Sequence, residues 1–179
     1  MYKAIPDLLS FSRLGLAFVL LLTEPLSPTF LSIFLVCGLT DILDGLAARR
    51  FDVCSEHGHM IDSVSDTVLA VILLYCVIPT VSWEGWMVIW IAAIAAVRII
   101  AFCIGSVRYR WPAFIHTYLN KAAGALLFLA PFLLVVIGAP MTIAAVCCVC
   151  SFSATEYLYI NMTSDHYDPD LPTAFVRSN

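Results

Sequence analysis

Along its length the chain alternates long apolar runs with short breaks of Pro, Gly and polar residues. The runs cover approximately Ile5–Leu22, Thr29–Ala48, Gly58–Ile78, Trp86–Gly105, Thr117–Ile137 and Met141–Ile160. Between them lie Glu24-Pro25-Leu26-Ser27-Pro28, the charged run from Arg49 to His57, Pro79 to Gly85, Ser106 to His116, and Gly138-Ala139-Pro140. Each run approaches the roughly 20 residues a helix needs to span the hydrocarbon core of a bilayer. A lipid-exposed span must satisfy its own backbone hydrogen bonds, and the alternating pattern of a membrane barrel is absent, so the runs predict helices. The expected fold is an all-α integral membrane protein with six transmembrane helices, a domain over residues 1–160 followed by a short cytoplasmic tail over 161–179.

Composition agrees. Of 179 residues, 61% are hydrophobic and 12% charged, against about 45–50% and about 25% in soluble domains; an ordinary soluble globule and a disordered chain are excluded. The 9 Lys+Arg and 13 Asp+Glu leave a net charge of −4, so there is no basic footprint for a nucleic acid. With six spans, both termini share one side with the second–third and fourth–fifth connections. Lys3, Arg13, Arg49, Arg50, Arg98, Arg108, Arg110, Lys121 and Arg177 all lie on or near that side. The positive-inside rule makes it cytoplasmic, both termini included, with the cell (inner) membrane as the expected location. The first run follows Lys3 but is interrupted by Arg13 and lacks a small-residue cleavage site before Glu24, so it reads as a retained helix. The seven cysteines are odd in number and sit almost entirely inside the runs, where they read as small apolar side chains. Asn161-Met162-Thr163 fits a glycosylation motif but falls on the cytoplasmic side and reads as chance.

Ionisable side chains at membrane depth mark function by default, because they cost several kcal/mol unless paired, hydrated or metal-bound. Arg13, Asp41, Asp44, Asp62, Asp66, Arg98, Lys121 and Glu156 cluster in the cytoplasmic half, and the outer halves of the spans carry none. This distribution describes a cup open to one face. On the second helix, Asp41 and Asp44 are three residues apart, with Gly45, Ala48 and Arg49 on the same side. On the third, Gly58, Asp62 and Asp66 follow a four-residue spacing. A short connection makes the two helices an antiparallel pair, so the carboxylates can face one another. Four such charges repel in a low dielectric; divalent cations resolve the conflict, and oxygen-only ligands favour Mg²⁺ or Mn²⁺ over zinc. At 1.5 Å per residue the aspartates reach roughly 12 Å below Arg49 and Gly58, the depth of a lipid pyrophosphate. Gly45, Ala48 and Gly58 would let a nucleotide approach the helix backbones, while Arg49 and Arg50 supply charge for phosphates.

From Asp41 to Asp66 the chain reads DILDGLAARRFDVCSEHGHMIDSVSD. It matches D-x2-D-G-x2-A-R-x8-G-x3-D-x3-D at every fixed position and resembles the signature of the CDP-alcohol phosphatidyltransferase family. The opening Ile5-Pro6-Asp7-Leu8-Leu9-Ser10 followed by Arg13 is similar to the start of these enzymes, with Asp in place of Asn. The resemblance implies a homodimer of six-helix subunits in contact with membrane lipid, with two metal ions held by Asp41, Asp44, Asp62 and Asp66. It further implies that Gly45, Arg49, Ser55 and Gly58 contact the CDP moiety and that Asp66 is the general base. The implied reaction moves the phosphatidyl group from CDP-diacylglycerol to the hydroxyl of a small polar alcohol and releases CMP, in phospholipid biosynthesis.

The acceptor is open. Arg98, Arg108, Arg110 and Lys121 flank the fourth–fifth connection. They read either as a phosphate pocket for glycerol 3-phosphate or inositol phosphate, or as orientation charge snorkelling to headgroups; Arg98 and Lys121 favour the first, Arg108 and Arg110 the second. Ile99 stands where phosphatidylglycerophosphate synthases commonly place an acidic residue, and Arg98-Ile99-Ile100-Ala101-Phe102 is loosely similar to a stretch of phosphatidylserine synthases, so a serine-class acceptor also stands. Glu156 is a candidate partner for Arg98 or Lys121, and His116 reads as interfacial. Three rivals remain. An aspartate-rich Mg²⁺-dependent intramembrane prenyltransferase keeps its two Asp motifs far apart, a non-enzymatic ion or proton transporter needs polar stations across the whole membrane, and a catalytically silent scaffold needs no intact motif.

Overall fold

The computed structural model describes residues 15–51, 56–110, 117–164 and 173, and of residues 41–51 and 56–66 the backbone alone. The chain divides into two compact units, Met1–Val81 and Ser82–Asn179.

In the first unit, residues 15–20 are helical (α1). Pro28–Phe51 (α2) and Glu56–Val77 (α3) follow, and Ile78–Thr80 adds a turn of 3₁₀ helix. Ser27 and Pro28 start α2: the Ser27 hydroxyl oxygen accepts from the Phe30 N–H at 3.2 Å, and proline is at ease where no helical N–H is required. Phe30, Phe34 and Cys37 form a buried stripe on α2 at helical spacing, while Leu35, Val36 and Leu39 are exposed.

In the second unit, Gly85–Tyr109 (α4), Tyr118–Ile137 (α5) and Ala139–Thr163 (α6) are long and apolar enough to cross a membrane. At 1.5 Å per residue they measure roughly 37, 30 and 37 Å, against a hydrocarbon thickness of about 30 Å. Helix α6 packs against both α4 and α5. Bonds from Arg98 to Ser153, Arg108 to Met162 and Tyr109 to Ser164 keep a sequence offset of 54–55 residues, so the later halves of α4 and α6 run parallel in register, with Trp90 bonded to Ser151 earlier along both helices. The buried positions are mostly small or modest in size: Ala101 and Gly105 on α4, Ala123 on α5, Cys147, Ser153 and Ala154 on α6. Large apolar side chains point outward instead, with Ile89 71%, Val107 81% and Val136 77% exposed. A helix bundle solvated by hydrocarbon is expected to show this, since lipid tails are as apolar as Leu and association depends on close backbone approach. Trp83 and Trp86 lie at the start of α4, and Tyr109 and Tyr118 at the opposite ends of α4 and α5, as in an interfacial aromatic belt.

Helices α2 to α6 coincide with their apolar runs to within a few residues, with two informative differences, while residues 5–14 of the first run lie outside the described residues. Helix α4 continues through Ser106 to Tyr109 and stops at Arg110, whose φ of 54° is left-handed. The break expected at Ser106 does not occur because Ser-Val-Arg-Tyr contains no helix breaker. The connection expected at Gly138-Ala139-Pro140 shrinks to Gly138 alone, since Pro140 is accommodated in the first turn of α6. Among the described residues Cys37, Cys76, Cys103, Cys147, Cys148 and Cys150 form no disulfide.

Gly138 turns the chain between α5 and α6 at φ 78°, ψ 170°, a region essentially restricted to glycine that costs other residues about 1–3 kcal/mol. A Cβ there meets nothing within 4 Å, so the effect is purely one of backbone. Gly138→Ala is expected to lower the thermal unfolding midpoint of the full chain in detergent, whereas Gly124→Ala, in open space on α5, holds or raises it through helix propensity. Equal midpoints for the two variants would contradict this.

Candidate functional site

Asp41, Asp44, Gly45, Ala48 and Arg49 lie on α2, and Gly58, Asp62 and Asp66 on α3. Both helices are continuous through these positions, so each aspartate pair occupies consecutive turns, about 4.5 Å apart in rise on α2 and about 6 Å on α3. Ser55, Arg13, His116 and Arg177 fall outside the described residues. No group of three or more metal-ligating side chains occurs among the described residues, which do not include the side chains of the four aspartates.

The second unit holds the basic residues. Arg98 lies one residue past the midpoint of α4, deeper than the shorter expected span would place it. Its Nη1 and Nη2 both donate to Oδ1 of Asn120, at 3.3 Å each, and Nη2 donates to Oγ of Ser153 at 3.1 Å. The Ser153 hydroxyl in turn donates to the same Asn120 oxygen at 3.5 Å. The three helices thus meet at one guanidinium. Asn120 is fixed from behind, because its backbone N–H donates at 3.1 Å to Oγ1 of Thr117, the N-cap of α5. Ser153 is 1% exposed. The side chains that hydrogen-bond Arg98 are thus two neutral residues.

The other basic candidates separate. Lys121 is exposed, with its ammonium 5.7 Å from the centroid of the Tyr118 ring. Arg108 donates from Nη1 to the Met162 carbonyl at 2.7 Å, one of the carbonyls left without an intrahelical donor at the end of α6, where positive charge also suits the helix dipole. Arg110 is the C-cap of α4. The Tyr109 hydroxyl closes the same end, donating to the Ser164 carbonyl at 3.3 Å. Arg108 and Arg110 thus stand at the helix ends where α4 and α6 close.

Sequence reasoning did not single out Asn120 or Ser153, which are uncharged residues within or beside apolar runs. The available signal was an amide in the first turn of a membrane-length helix, where only a specific partner justifies it. Asn161, fully buried on α6, and the Ser106 hydroxyl have no hydrogen-bond partner among the described residues, and the α4–α6 register sets them at the same level. Burial of Asn161 agrees with reading its glycosylation motif as chance.

Arg108→Ala is expected to accelerate amide hydrogen exchange in the last turn of α6, over residues 160–163, by removing a charged donor from its carbonyls. Unchanged exchange would show that the bond does not hold that turn.

Comparison with known proteins places these features. The family model for CDP-alcohol phosphatidyltransferase matches residues 3–153. The chain is 44% identical over 72 residues to rat (Rattus norvegicus) cardiolipin synthase (CMP-forming), covering 38% of this chain and 24% of that protein. It is 33% identical over 95 residues to Arabidopsis thaliana CDP-diacylglycerol–glycerol-3-phosphate 3-phosphatidyltransferase 2, covering 51% and 40%. It is 35% identical over 114 residues to the Escherichia coli CDP-diacylglycerol–glycerol-3-phosphate 3-phosphatidyltransferase, covering 61% and 60%. The chain thus matches between about a quarter and three fifths of the length of these relatives. No solved structure matches it. A family match that contains the whole Asp41–Asp66 signature and most of the apolar helices leads to one conclusion: this membrane protein belongs to the CDP-alcohol phosphatidyltransferase family.

Proposed function

We propose that the chain transfers the phosphatidyl group of CDP-diacylglycerol to the primary hydroxyl of glycerol 3-phosphate and releases CMP. The observation that carries this reading is the family match across the Asp41–Asp66 signature, borne on two helices that run unbroken through all four aspartates. Among acceptors, glycerol 3-phosphate is favoured by the names of the Arabidopsis and E. coli relatives and by the cation Arg98, whose bonds are to neutral partners. An uncharged alcohol would leave that charge without use.

The donor set fits a pair of hard divalent cations, because each helix offers two carboxylates one turn apart and no softer ligand is needed. Asp41, Asp44, Asp62 and Asp66 would hold two Mg²⁺ or Mn²⁺, which when bound neutralise the pyrophosphate and stabilise the leaving CMP. The remaining work belongs to the chain. Gly45, Ala48 and Gly58 admit the CDP moiety close to the backbone, and Arg49 and Ser55 contact it. Asp66 takes the proton of the acceptor hydroxyl as that oxygen bonds to the diacylglycerol phosphorus, and the bond from this phosphorus to the CMP oxygen breaks. An alcohol is a poor nucleophile at neutral pH, so a positioned base contributes about 10²–10⁴-fold. Arg98 and Lys121 take the acceptor phosphate. The proposed setting is a homodimer of six-span subunits in the cell (inner) membrane, with both termini and the active site on the cytoplasmic side.

Two measurements test this reading. The purified full chain in vesicles containing CDP-diacylglycerol is expected to release CMP when given glycerol 3-phosphate, to stop on chelation and to resume on adding Mg²⁺ or Mn²⁺. Failure to release CMP with any acceptor from a panel of glycerol 3-phosphate, inositol phosphate, inositol and serine would refute the activity. In Asp66→Asn, turnover is expected to fall by about 10²-fold or more while nucleotide binding persists; undiminished turnover would remove Asp66 as the base.

A further inference from the structure

We propose that Asn120 and Ser153 are positioning residues that hold Arg98 in an uncharged cradle, and that this neutrality selects a phosphate-bearing acceptor over an uncharged alcohol. The proposal rests on the reading of Arg98 as an acceptor contact and adds what makes it effective.

A guanidinium has donors only, five of them. The carbonyl end of the Asn120 amide is therefore the end that suits it, and Oδ1 accepts from both terminal nitrogens. With the bond from Nη2 to Ser153, the cradle engages three of the donors. One hydrogen on Nη1 and the Nε hydrogen remain for another partner among the described residues. The ring of contacts also limits movement, since its members come from α4, α5 and α6 and the buried Ser153 bridges back to Asn120.

The cradle satisfies hydrogen bonds without cancelling charge. A cation near the middle of a membrane-length helix costs roughly 2.5–3.5 kcal/mol on an insertion scale, and the direct remedy is an adjacent carboxylate. Position 120 is where it would be most effective, because its side chain meets both ends of the guanidinium, and aspartate differs from asparagine by one group. The chain carries the amide instead. An acidic residue there would stabilise the helices and leave Arg98 already neutralised; the amide keeps a full positive charge in a low-dielectric setting, where its attraction for a phosphate dianion is strong and its attraction for a neutral hydroxyl is weak. Lys121, the next residue on α5, adds a second cation close in sequence to the cradle.

A structural role and a positioning role predict different outcomes for Asn120→Asp. If the cradle serves only to bury Arg98, the added carboxylate raises the unfolding midpoint and leaves the acceptor KM unchanged. The proposal predicts an unfolding midpoint at or above that of the unaltered chain together with a KM for glycerol 3-phosphate raised about 10- to 100-fold, the range that one charge-assisted hydrogen bond supplies, and an unchanged KM for CDP-diacylglycerol. Ser153→Ala, which removes a single oxygen, is expected to raise the same KM severalfold with a smaller change in kcat, and Ser153→Thr to restore it. An unchanged acceptor KM in both Asn120→Asp and Ser153→Ala overturns the cradle while leaving the transferase reading intact. An unaltered chain that uses uncharged alcohols as readily as glycerol 3-phosphate overturns the acceptor reading itself.

Discussion

Charge is expensive in hydrocarbon, and that constraint orders this chain. Where a soluble domain places Leu, Ile and Val inside and spreads charge over its surface, α4, α5 and α6 bury mostly smaller residues such as Ala, Gly, Ser and Cys beside Met87, Ile143 and Ile160, and turn Ile89, Val107 and Val136 outward. Small buried residues bring helix backbones close, and closeness lets a few polar side chains on three helices reach one another. The triad of Arg98, Asn120 and Ser153 is the clearest result. Arg98 is the costly member, and Asn120 and Ser153 satisfy its hydrogen bonds while one net charge remains.

The proposed chemistry follows from the same rule. Aspartates one turn apart on α2 and α3 are unfavourable neighbours without cations, so the residues that would destabilise an empty bundle are those that would hold a metal. Their helices are interrupted by neither Gly45 nor Gly58. Family membership adds the identity of the reaction class to this physical reading, and the neutral cradle of Arg98 adds a reason for a phosphorylated acceptor.

Much of the fold was legible because apolar runs of bilayer length admit few structures. The run Thr117–Ile137 became α5 with Thr117 as its cap, and Thr29–Ala48 and Gly58–Ile78 lie within a few residues of α2 and α3. Boundaries failed where polarity was mistaken for a break: Ser106 to Tyr109 is helical, since an interface accepts Ser and Arg without ending a helix, and this moved Arg98 to mid-helix. The signature was legible because charges stand out against apolar sequence. Asn120 and Ser153 were not, because neutral polar residues are common in membrane helices and their value appears only when the register of α4, α5 and α6 brings them to one guanidinium.

The most direct measurement is a competition. The full chain in CDP-diacylglycerol vesicles with Mg²⁺ is given equal concentrations of glycerol 3-phosphate, glycerol and serine, and the lipid products are weighed by mass spectrometry. Transfer to a phosphorylated acceptor predicts a dominant lipid carrying a terminal phosphomonoester on its glycerol headgroup; a product mixture dominated by the glycerol or serine lipid, or no new lipid at all, would contradict it.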